Sequence, residues 1–186
     1  MTSEHETATV TRLMAAFAQR TGLSPAADNP QRYLWTDAFA VCNFLELSQR
    51  TGDQEYRRYA TELTDQVHRV LGRFRVDEGR TCWISGLDEE AGHCRPTSGG
   101  LRIGKPRKER GADEAIDEQL EWDRDGQYFH YLTKWMHALC QAAFVMRSHE
   151  YTRWAGDLAL TAFKRFMRRS SSGKPRSEST RLNSSH

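Results

Sequence analysis

The chain of 186 residues carries 27 Lys+Arg, 25 Asp+Glu and 38% hydrophobic residues, with a formal net charge of +2. That length suits one domain or part of a larger one, and so small a charge gives no pull toward nucleic acid. No apolar run approaches the roughly 20 residues of a membrane span, and the scattered Cys42, Cys82, Cys94 and Cys140 are too few for a disulfide scaffold.

The first residues, Met1 to Glu6, are polar and acidic. They lack the basic-then-apolar layout of a signal peptide, so a cytoplasmic location is expected. Val10 to Arg20 carries Leu13, Met14, Ala16 and Phe17 and stops at Thr21-Gly22, which predicts an outer helix of an incomplete hairpin. Residues 33–47 are apolar on nearly every side, the mark of a buried helix. Thr51-Gly52-Asp53 follows, with Gly as the stop and Asp as the next N-cap. Tyr56, Tyr59, Ala60, Leu63, Val67, Val70 and Leu71 then recur at helical spacing, opposite Glu55, Arg57, Arg58, Glu62 and Asp65. A buried helix, a tight turn and a one-faced helix make an αα-hairpin.

Residues 76–126 show no sustained periodicity, and a loop beyond about 12–15 residues is uncommon unless functional or disordered. This one holds Cys82-Trp83-Ile84, Gly99-Gly100-Leu101-Arg102 and Trp122-Asp123-Arg124-Asp125-Gly126. Trp and Ile among turn residues predict a folded loop anchored on the hairpins, with only 107–117 solvated. The hairpin pattern then returns 95 positions on: Glu55 to Leu63 aligns with Glu150 to Leu158, five of nine residues identical, and Tyr33 lands on Tyr128. The repeat predicts a second buried helix over 128–147 and a second outer helix over 150–168. After Arg169 the Ser-rich segment cannot build a packed element. Residues 179–186 look like a translated sequencing adapter. The expectation is therefore a domain over 1–169, a disordered or artefactual tail over 170–186, and an N-terminal piece of a longer protein.

Buried helix, Thr-Gly-Asp turn and Tyr-x-x-x-Ala-x-x-Leu outer helix resemble hairpins of the six-hairpin glycosidase superfamily, over residues 33–75 and 127–168. The resemblance implies an all-α fold, part of an (α/α)6 toroid, acting on carbohydrates as a glycoside hydrolase or a sugar epimerase/isomerase. It implies a small-molecule or oligosaccharide substrate and long loops gathered at one mouth of the ring. N-acylglucosamine 2-epimerases share that toroid and place paired histidines on inner helices; the surroundings of His130 and His137 do not match their His-x-x-Glu pattern.

Several residue types carry chemistry of their own. Asp123 and Asp125 flank Arg124 on the approach to the second buried helix, where an apolar neighbour raises a carboxyl pKa and an Arg lowers it. Asp37 sits on an apolar helix, so it must be paired or face a cavity. It is the possible second carboxylate of an acid/base pair. His130, Lys134 and His137 share one helix face; the two imidazoles stand about 10 Å apart, too far to share a metal ion but able to line a cleft as proton carriers. Trp83, Trp122 and Tyr128 are candidate stacking platforms for sugar rings, and Arg102 in its Gly-rich run is a candidate anion contact. Lys105-Pro106 breaks the P-loop pattern, and the spacing of Cys82, His93 and Cys94 matches no zinc knuckle, so neither cofactor nor metal is expected. The alternative to an enzyme is a non-catalytic α-solenoid scaffold. The enzyme reading predicts Asp37, Asp123, His130 and Trp122 around one concavity; side chains scattered to different faces would favour the scaffold.

Overall fold

The computed structural model describes residues 2–108, 123–169, 175–177 and 181–182. The fold is all-α. Helix α1 runs Thr2–Arg20, α2 Leu34–Thr51, α3 Glu55–Leu71, the short α4 Glu89–Cys94, α5 Phe129–Met146 and α6 His149–Phe166, with a 3-10 turn at Val76–Glu78. α2 with α3 and α5 with α6 are the two expected hairpins, and α2 and α5 pack side by side between them, with α1 laid on α2.

Turn chemistry sets both hairpins. Gly52 ends α2 at φ 75, its N–H donating to Ser48 O, and the Asp53 carboxylate accepts from Glu55 N–H at 2.9 Å. In the second hairpin Arg147 occupies the same seat at φ 54, and the Ser148 hydroxyl accepts from Glu150 N–H. The core is the apolar set expected: Leu34, Val41 and Phe44 from α2, Leu63, Val67 and Leu71 from α3, Leu132, Trp135 and Leu139 from α5, Leu158 and Phe166 from α6. Burying each such side chain stabilises by about 1.5–3 kcal/mol, which is what holds weakly helical segments in place.

α5 departs from the expectation of a helix buried all round. Phe129 and Phe144 are exposed. α2 lies between α1, α3 and α5, whereas among the described helices those packed closely on α5 are α2 and α6. The tail also departs in part: Pro175–Ser177 pairs antiparallel with Met167–Arg169, and Arg181–Leu182 with Gln127–Tyr128. Among the described residues no helix is long and apolar enough to cross a membrane.

Candidate functional site

The described parts of the long loop, 76–108 and 123–126, are folded and fastened to the helices, as the Trp and Ile content predicts. Leu34 N–H donates to Ile103 O, Ile103 N–H to Gly126 O and Arg102 N–H to Leu71 O, at 2.9–3.0 Å. The Thr97 hydroxyl donates to Trp154 O at 2.7 Å. Gly104, at φ +86, lies so close to Arg32 that a Cβ would stand 2.0 Å from its carbonyl oxygen. The loop therefore closes over the N-terminal end of α2.

Asp125 is the clamp of that loop. It is fully buried, its carboxylate pairs with Arg102, Arg75 Nη1 lies at 3.4 Å, and the N–H groups of Gly104 and Gly126 donate to Oδ1 at 2.8 and 3.0 Å. Arg102 spends its other nitrogens on Arg73 O (2.7 Å) and Val70 O (2.6 Å). Both residues were expected to meet substrate; the structure uses them to hold loop to helix, since a buried ion pair with every donor engaged has nothing left for a ligand. Trp83 is corrected in the same way. It is 1% exposed, packed against Gly92 with the Arg73 guanidinium 4.2 Å above its ring. Loop position alone had suggested exposure.

Between the clamp and α2 lies a cavity of about 540 Å³, lined by Thr21, Gln31, Arg32, Tyr33, Thr36, Asp37, Gly104, Lys105, Pro106 and Asp123. Asp37 stands in the first turn of α2. Its Oδ2 accepts from Tyr33 N–H at 2.9 Å, an anion at a helix N-terminus. Its Oδ1 has no hydrogen bond and lies 3.7 Å from Arg32 Nη1. Arg32 Nη2 donates to Thr21 O at 2.5 Å, while its Nε and Nη1 have no acceptor. Burial pushes the Asp37 carboxyl up to about 7 against the opposing pull of Arg32 and the Tyr33 amide, and burial lowers the Arg32 guanidinium. Asp123 is exposed at the rim. Two of the carboxylates singled out in the sequence thus share one concavity.

The histidines do not join them. His130 and His137 are exposed on the open face of α5 with Lys134. His130 sits among rings, with centroids 4.7 Å from Tyr131, 5.8 Å from Trp35 and 6.0 Å from Tyr128, and partial burial lowers its pKa. Lys134 Nζ lies 5.6 Å from the Trp35 ring centroid. Tyr33 joins the two regions: it lines the cavity, and its hydroxyl hydrogen-bonds the Tyr131 hydroxyl. Trp122 lies outside the described residues. Among those described, no cluster of three His, Cys, Asp or Glu is arranged to hold a metal ion.

Sequence reasoning missed Arg32 and Tyr33. Arg32 stands between Gln31 and Tyr33 in a short polar approach to α2, with no spacing signal. Tyr33 is flagged only by its repeat partner Tyr128. Fold and cavity together define a protein of repeated αα-hairpins with a polar, carboxylate-bearing hollow under a clamped loop. No family model, curated protein or solved structure matches the chain.

Proposed function

We propose that the chain is a carbohydrate-active protein of the six-hairpin type, glycoside hydrolase-like or sugar epimerase/isomerase-like. In this reading its two hairpins and α1 form an arc of an (α/α)6 toroid. The observation that carries the reading is the Asp37 carboxyl, buried, poised near 7, with one oxygen free of hydrogen bonds in a cavity it shares with Asp123. A carboxyl at that pKa gives or takes a proton near neutral pH, the requirement for a general acid or base. Asp37 Oδ1 and Arg32 Nη1 are shielded and lack hydrogen-bond partners; a sugar hydroxyl admitted to them by a side-chain shift at the cavity wall would donate to the first and accept from the second, satisfying both buried groups at once. Asp123 serves as the second carboxylate from the loop side. Tyr33 and Tyr131 lead toward the aromatic surface of Trp35 and Tyr128, where a further ring can stack.

The test is a thermal-shift and calorimetric panel of neutral mono- and oligosaccharides against the wild type, Asp37→Asn and Asp123→Asn. Saturable binding of at least one sugar, weakened at least about tenfold in Asp37→Asn, is expected from loss of a buried charged hydrogen bond. Binding that is absent throughout, or undiminished by Asp37→Asn, would sink the reading. The scaffold alternative is favoured by two observations, the exposed Phe144, Leu160 and Phe163 on the second hairpin and the position of His130 outside the cavity that holds Asp37 and Asp123. It expects no sugar to bind and both Asp variants to behave as wild type.

A further inference from the structure

A second hollow, of about 350 Å³, lies between α3, α6 and the α4 segment of the loop, and it shares no lining residue with the Asp37 cavity. Its apolar wall is Trp83, Pro96 and Trp154, all buried, with Trp154 held by its Nε1–H, which donates to Cys94 O at 3.0 Å. His68, 3% exposed, is the buried polar residue of the lining. Burial lowers its pKa to about 3, so the ring is neutral and carries one proton. Trp135 Nε1–H can only donate, so His68 Nε2 accepts from it and the ring proton stands on Nδ1. Trp135 is outside the lining; Nε2 therefore points away from the hollow, and Nδ1–H is the polar edge the ring turns to it. Among the described residues nothing accepts from that N–H, a bond that is costly to leave unmade in a buried group.

At the mouth stand Asp65 and Arg69, both exposed and one helical turn apart on α3. Among the described residues the Asp65 carboxylate has no hydrogen bond or ion pair, and the Arg69 guanidinium has only a 3.4 Å bond to the Asp65 carbonyl oxygen. His93 is already engaged, its Nε2 3.0 Å from Glu89 Oε1. We infer that this hollow binds a free α-amino acid with an apolar side chain: its ammonium on Asp65, its carboxylate shared by Arg69 and His68 Nδ1–H, its side chain against Trp83, Pro96 and Trp154. A carboxylate has lone pairs enough for both donors, and an ammonium answers the one unpaired anion. A ligand of single charge leaves one mouth residue unmatched, and a neutral sugar matches neither. In a peptide the two charged groups are parted to opposite ends of the chain. The volume is at the lower end of the range of about 300–1,000 Å³ for small-molecule sites, which suits so small a ligand.

The experiment is titration calorimetry of the whole chain with L-leucine and L-phenylalanine, and with phenethylamine and phenylpropionate, the two halves of the second. The same samples are followed by NMR of nitrogen-labelled histidine, in which the His68 signals are identified by their loss in His68→Gln. Saturable binding of at least one amino acid is expected, at least about tenfold tighter than either half and weakened at least about tenfold by Asp65→Asn and by Arg69→Gln, since each removes a charged hydrogen bond. Both variants change exposed side chains, so the fold is retained, and far-UV circular dichroism checks it. The His68 Nδ1–H resonance is expected to move on saturation, and to stay where it is when neutral sugars are added. Absence of binding by both amino acids, a half that binds as tightly as the whole, binding that survives both variants, or an Nδ1–H resonance that the amino acid leaves unmoved each overturns the inference.

Discussion

His68 and Asp37 are expected to tilt the pH dependence of stability in opposite directions, and the two tilts nearly cancel. His68 is wholly enclosed, and desolvation takes it from 6.5 to about 3. The unfolded chain therefore takes up this proton first, and the stability fully present above pH 6.5 is lost as pH falls toward 3. Between about pH 7.5 and about pH 5 the loss is about 2 kcal/mol. Asp37 runs the other way. The folded state holds its proton up to about 7, against 3.8 for an unperturbed carboxyl, so folding gains as pH falls from above 7 toward 3.8. Over the same interval that gain is about 2.5 kcal/mol. Removing either group should unmask the other. His68→Gln keeps an acceptor for Trp135 Nε1–H without titrating, and should become about 2 kcal/mol more stable, relative to wild type, on going from about pH 7.5 to about pH 5. Asp37→Asn should shift by a similar amount in the opposite sense. Urea midpoints at the two pH values, followed by Trp fluorescence and far-UV circular dichroism, measure both. The other ionisable groups are common to all three chains and drop out of the differences. If His68→Gln shows the same pH dependence as wild type, His68 is not buried as a neutral ring and the packing of the two hairpins against each other is wrong.

Two further expectations concern the loop clamp and the hairpin turn. Asp125→Asn leaves Arg102 buried without its counter-charge, which should cost about 3 kcal/mol, while Asp77→Asn, at the exposed end of the Arg75 pair, should stay within about 0.5 kcal/mol of wild type in the same urea titration. Equal effects of the two would refute the clamp. Arg147→Gly supplies the residue that the first hairpin uses in the left-handed seat, and relief of about 1 kcal/mol of backbone strain, partly offset by greater unfolded-chain freedom, should raise the melting temperature by a few degrees. A lower melting temperature would mean that the Arg147 side chain contributes more than its backbone costs.

The sequence by itself determined the helices of the two hairpins, their pairing and the repeat, but not the short α4 inside the loop. Those depend on local signals: apolar spacing near 3.6, a left-handed turn residue, a capping side chain one position later. Anchoring of the loop on the hairpins was legible from Trp and Ile among its turn residues, but Trp83 itself was expected to meet substrate and is buried. Only the tertiary structure decided which polar residues became a site. Asp37, Asp123 and Asp125 look alike along the chain. Asp125 closes on Arg102, Arg75 and two backbone amides and is consumed by packing, while Asp37 keeps one oxygen free in a cavity whose other wall comes from Arg32 and the loop. The histidines, equally prominent in sequence, lie on the exposed face of α5, while Asp37 stands in the first turn of α2 under the loop. Burial of Asp37 under the loop and the closure of Asp125 on Arg102 and Arg75 come from segments distant along the chain, and periodicity carries no record of them.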